Sequence, residues 1–102
     1  MTTRFTKRAV GRHIRKHHPG CPEFAVEYIA EKIVDRDWEE MSLGAAVGTT
    51  MQGIIRHAMT DYDNLLLAGV ERVEARRRVQ KRVNALLDVW SRPRTEDPND
   101  TK

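Results

Sequence analysis

Cysteine is almost absent from this chain: Cys21 is the single one among 102 residues. One thiol excludes an internal disulfide framework and any C-x-x-C redox or metal motif. No apolar run approaches the roughly 18 residues of a membrane span. The N-terminus is basic but lacks the apolar core of a secretory leader. Together these predict a reducing, cytoplasmic setting without membrane contact. No H-E-x-x-H spacing occurs, and no glycine-rich loop follows a strand pattern, so metalloprotease and nucleotide-cradle chemistry have no motif to stand on. A nucleophile is also lacking. Cys21 sits between Gly20 and Pro22 at a helix start, where the dipole favours a thiolate, but a small residue filling the turn is the simpler reading.

What is present is charge, and it is unevenly spread. Hydrophobic residues make up 39% and charged residues 32%, which is the composition of a folded domain. The length suits one domain. The net charge is +3. Residues 1–18 carry Arg4, Lys7, Arg8, Arg12, Arg15 and Lys16 and no acid, with His13, His17 and His18 in reserve. Residues 23–40 carry seven acids against Lys32 and Arg36, and residues 71–92 carry seven bases against three acids. Two basic segments thus flank an acidic one. Such a chain can neutralise itself by docking the acidic segment on a basic one, or present a basic face to a polyanion.

Apolar spacing predicts four helices and no strand. The first spans Thr6 to His17 around Val10 and Ile14, and Pro19-Gly20 stops it. The second spans Pro22 to Asp37, with Ala25, Val26, Ile29, Ala30, Ile33 and Val34 on its buried face and Phe24 and Tyr28 at its edge. The third follows Ser42, a good N-cap. It runs through Val47, Met51, Ile55, Ala58, Tyr62 and Leu65 to Gly69, a left-handed stop. Gly44, Gly48 and Gly53 weaken its first half, either because that part is a separate turn or because another helix approaches there. The fourth spans Glu71 to Trp90, and Pro93 ends it. The expected architecture is all-α: a compact bundle of about four helices, the third and fourth longest, over residues 1–92. Residues 93–102 should form a flexible C-terminal tail.

Two groups of residues could carry function. The first is the polar block Arg56, His57, Thr60, Asp61, Tyr62 and Asp63. On one continuous helix His57 and Asp61 share a face, whereas Arg56, Thr60 and Asp63 lie across the apolar stripe. The block then reads as a polar lock between helices rather than a catalytic cluster. A metal-dependent enzyme using His57, Asp61 and Asp63 is the minority alternative; beyond the His57–Asp61 pair, only folding could bring a third or fourth ligand from His13, His17, His18 or Asp63. The second group is the basic set Arg4, Lys7, Arg8, Arg12, Arg15, Lys16, Arg76, Arg77 and Lys81, which suits phosphate contacts. Its competing reading is a solvated face salt-bridged to the acids of the second helix. Trp38 and Trp90 read as core or interface anchors rather than base-stacking platforms.

His18-Pro19-Gly20-Cys21-Pro22, Ile29-Ala30, Ile55-Arg56-His57, Thr60-Asp61-Tyr62-Asp63, Leu65-Leu66, Glu74-Ala75-Arg76 and Trp90 resemble a family of uncharacterised bacterial and fungal domains. That family carries an Arg-His-x-x-Thr-Asp-Tyr-Asp-x-Leu-Leu block, and the likeness covers roughly residues 12–92. Its members often hold an arginine-rich stretch between the second and third helices, where this chain has Leu43 to Gly48 without arginine. The resemblance implies one all-helical domain and no particular reaction. The expectation is therefore a small non-enzymatic helical module with no catalytic residues, resident metal or cofactor. It would contact nucleic acid through its first and fourth helices. A protein-interaction or regulatory module, as a homodimer or with another chain, is the alternative.

Overall fold

The computed structural model describes residues 2–93. The expected C-terminal tail lies outside the described residues except for Pro93. The elements run β1 (Thr2–Thr3), α1 (Lys7–His17), α2 (Glu23–Val34), β2 (Trp38–Glu39), α3 (Leu43–Met59), α4 (Tyr62–Leu67) and α5 (Arg72–Trp90). The described chain is thus mainly helical as expected, but with five helices and a two-stranded ladder rather than four helices alone.

Local chemistry accounts for most boundaries. Thr6 caps α1 by accepting the Ala9 N–H, and Ser42 caps α3 by accepting the Ala45 N–H, both at 3.1 Å. Helix α2 ends at Val34, three residues earlier than Asp37. The released segment turns so that Trp38 is buried and its indole N–H donates to the Ile33 carbonyl at 2.9 Å. That turn brings Thr2 opposite Glu39 and Thr3 opposite Trp38 in an antiparallel pair. The expectation of no strand fails here because a two-residue ladder is too short to leave an alternating pattern in the sequence.

The larger departure is at Thr60. Its backbone is extended (φ −136°, ψ 176°), so the expected third helix divides into α3 and α4. Helix α4 then ends as expected at Gly69, whose φ is +94°. The Gly69 N–H donates to the Leu66 carbonyl and the Val70 N–H reaches back to the Leu65 carbonyl at 2.9 Å, the paired bonds of a Schellman stop.

Helix α3 is the hub: it packs on α1, α2 and α5, and α5 also receives α4. Val10 and Ile14 of α1, Val26, Ile29 and Ile33 of α2, Val47, Met51 and Ile55 of α3, and Val83 and Trp90 of α5 form one buried core. Ala58 is exposed rather than on the stripe, because the helix ends one residue later. Phe24 and Tyr28 are also exposed, at 66% and 50%. The three glycines at which a separate turn or a close helix was expected all lie within α3; a Cβ at Gly44 would meet only the His13 ring of α1, at 3.7 Å, and one at Gly48 or Gly53 would meet nothing within 4 Å. The close approach is at Gly20, where a Cβ would stand 2.4 Å from the Arg92 carbonyl oxygen and 2.5 Å from that of Val89. There the Gly20 N–H donates to the Trp90 carbonyl at 2.8 Å, joining the α1–α2 turn to the end of α5. The Cα extents are 45 × 44 × 16 Å, so the chain is much thinner in one direction than in the other two.

Candidate functional sites

The break at Thr60 reorganises the polar block. The Thr60 hydroxyl donates to the Arg56 carbonyl and accepts the Tyr62 N–H at 3.1 Å, so one side chain closes α3 and opens α4. The chain turns back, and His57 Nδ1 meets Asp63 Oδ1 at 2.7 Å. Asp61, the expected partner of His57, instead accepts from the Asn64 side-chain amide at 3.4 Å. Tyr62 is the pivot and is 3% exposed. The His57 ring meets the Tyr62 ring edge-on at 5.1 Å, and the Arg56 guanidinium lies 5.7 Å from its centroid, within cation–π range. Arg56 and His57, expected on opposite flanks, therefore hold the same aromatic ring. Arg56 Nε is buried without a hydrogen-bond partner among the described residues.

A carboxylate can only accept, so with Asp63 ionised His57 Nδ1 carries the proton. In the neutral imidazole this leaves the Nε2 lone pair as an acceptor. Both side chains are more than half exposed, at 56% and 55%, so water screens the pair and it stabilises the turn only slightly. His57 also lines an open groove of about 870 Å³ between α2 and α3, with Tyr28, Lys32, Thr50 and Ile54 among its other walls. Two lining cations are already engaged with aromatic rings: Lys32 lies 5.3 Å from the Tyr28 centroid and Arg36 4.2 Å from that of Trp38. Among the described residues no group of three or more His, Cys, Asp or Glu side chains is arranged to hold a metal ion. His57, Asp61 and Asp63 are not brought together as a ligand set.

The basic residues divide by position. On α1 the row through Lys7 and Arg15 faces α2. Lys7 pairs with Glu27 at 3.0 Å and reaches Glu31 at 3.9 Å, and Arg15 pairs with Glu23. Each partner holds the other's charge: the Glu23 carboxyl lies below its usual range through its hydrogen bond from Arg15, and Lys7 is raised through Glu27. Arg4 pairs with Asp37 at 2.5 Å. The acidic segment has thus docked on part of the basic one. A second row, Arg8, Arg12 and Lys16, spaced by four, is exposed. None of the three makes an ion pair among the described residues. On α5, Arg77 and Arg78 share Glu74, whose carboxyl is pulled down to about 2 by the hydrogen bonds from the two guanidiniums. Arg76 and Lys81 are exposed and make no ion pair among the described residues.

The remaining candidates resolve simply. Cys21 is 6% exposed, and burial pushes its thiol up to about 11, so it is a packed, unreactive residue. Trp38 and Trp90 are 3% and 5% exposed, which makes both core anchors. At the end of α1 the His13 and His17 rings lie 4.4 Å apart, a pairing that only their four-residue spacing could have flagged.

Residues 13–91 match the family model described as an uncharacterized conserved protein family, DUF2293. The chain belongs to the DUF2293 family. The match begins at His13 and ends at Ser91. It therefore spans the end of α1, the Arg56–Asp63 turn and all of α5, while β1 and the start of α1 lie outside it. No curated protein and no solved structure matches this DUF2293 chain.

Proposed function

We propose that this DUF2293 domain is a small, non-enzymatic helical binding module that grips the phosphate backbone of nucleic acid. The observation that carries the reading is the unneutralised row Arg8–Arg12–Lys16. The acids of α2 engage the neighbouring row and leave this one to solvent, at the four-residue repeat that lines charges along one helix face. Arg76 and Lys81 add exposed cations on α5. Arg4, Lys7 and Arg15 near the N-terminus and Arg77 on α5 are further cations of the expected set, but their charge is shared with carboxylates. Their exposed pairs are weak enough to open toward a phosphate. Backbone contacts of this kind give affinity without sequence preference.

The test is fluorescence anisotropy with a labelled DNA duplex across a salt series. Five phosphate contacts, from Arg8, Arg12, Lys16, Arg76 and Lys81, give a slope of log K against log salt of about −4.5. Absence of binding at about 50 mM salt, or binding indifferent to salt, would overturn the reading.

A protein partner, a second copy of the chain included, has its own supporting observation. Leu67 and Val73 are 86% and 68% exposed on either side of the Gly69 stop. Apolar exposure of this kind at a helix corner suits an interface anchor. Light scattering that returns a dimer, or a complex retained in high salt, would favour it over the first reading.

A further inference from the structure

We propose that His13 and His17 form a bidentate site for a divalent transition-metal ion at the C-terminal end of α1, beside the start of α3. The two residues are four apart within one unbroken helix, the spacing that turns both side chains to the same side. Their ring centroids lie 4.4 Å apart with the planes tilted by 40°. Two nitrogens bound to one tetrahedral Zn²⁺ at about 2.0–2.1 Å stand about 3.3 Å from each other. The rings therefore reach a shared ion by side-chain rotation alone, with no change in the helix. Neither imidazole makes a hydrogen bond or ion pair among the described residues, so no protein partner has to be displaced.

The surroundings of the two rings differ. The His13 ring packs against Gly44 at the start of α3, where a Cβ would stand 3.7 Å from its Cε1. Nε2 stands 3.8 Å from the same point, so the contact is with the outer edge of the ring. His17 is exposed. Because no third His, Cys, Asp or Glu of the described chain joins them as a ligand group, water fills the remaining positions and leaves the ion open to an added ligand. Imidazole donors select Zn²⁺, Ni²⁺ or Cu²⁺ over Mg²⁺ and Ca²⁺, which prefer oxygen.

Calorimetric titration of the tag-free chain with ZnCl₂ tests this, with circular dichroism confirming that each variant is folded. The wild type takes up one Zn²⁺ per chain and MgCl₂ gives no signal. His17→Asn, a change at an exposed position, abolishes saturable uptake, as does His13→Asn. Cys21→Ser retains it, which separates imidazole binding from capture by the thiol. In NMR the ring signals of His13 and His17 shift on adding Zn²⁺ while that of His57 stays. No saturable uptake by the wild type overturns the site. So does uptake that survives His17→Asn in a folded chain, or that is lost in Cys21→Ser.

Discussion

Thr60 does with one hydroxyl what a loop of several residues does elsewhere. By donating to the Arg56 carbonyl and accepting the Tyr62 N–H, it satisfies one end of α3 and the start of α4 together. The turn it makes brings Asp63 to His57 and seats Tyr62 in the core. Thr60→Val keeps the side-chain shape and removes the hydroxyl. It should lower unfolding free energy by about 1 kcal/mol, as loss of a helix cap does, measured by urea denaturation. His57→Ala should change it by less, because its pair with Asp63 is solvent-screened. The signal for this turn was in the sequence. Thr60-Asp61-Tyr62-Asp63 ahead of Leu65-Leu66-Leu67 has the [ST]-x-x-[DE] form of a helix start. A periodic stripe that ran smoothly across the break, from Ile55 through Ala58 to Tyr62, concealed it.

Between elements the decisive contacts are backbone to backbone. The α1–α2 turn closes on the end of α5 through Gly20, with carbonyl oxygens so near that a methyl group has no room. Gly20→Ala should therefore destabilise the fold by about 1–3 kcal/mol, the range of an overpacked site. Gly48→Ala, in the interior of α3 with open space beside it, should instead stabilise it by about 0.5–1 kcal/mol through helix propensity. Thermal denaturation of the two variants reads both signs in one experiment. In sequence, Gly44, Gly48 and Gly53 signalled either a separate turn or a close helix, and Gly20 a helix stop. Which glycine another element approaches depends on residues some seventy positions away.

At the scale of the molecule, which elements stand beside α1 decides the fate of its charges. Helix α1 packs on α2 and α3 and leaves its remaining face to solvent, so its cations fall into a row paired with the acids of α2 and an unpaired row. Substitution of each row should separate stability from binding. Lys7→Glu with Arg15→Glu sets like charges against Glu27, Glu31 and Glu23 and should lower the melting temperature, less so as salt rises. Arg8→Glu with Arg12→Glu breaks no intramolecular pair and should leave the melting temperature near that of the wild type. Under the nucleic-acid proposal it flattens the salt slope of DNA binding by about one unit per lost contact. Equal loss of DNA affinity from both double variants would show that the unpaired row has no special part.

Helices, their caps at Thr6 and Ser42, the stop at Gly69 and the apolar face of α5 all follow from interactions within four or five residues, and the chain alone specifies them. Membership of one helical family is likewise a property of the sequence. The partner of His57, the burial of Trp38 under a short ladder, the exposure of Phe24 and the division of the cations into two rows depend on which elements meet. The reason is one of range. A cap or an amphipathic stripe is set by neighbours in the chain, whereas an ion pair or a close glycine contact needs a second element in place, and only the assembled fold chooses that element.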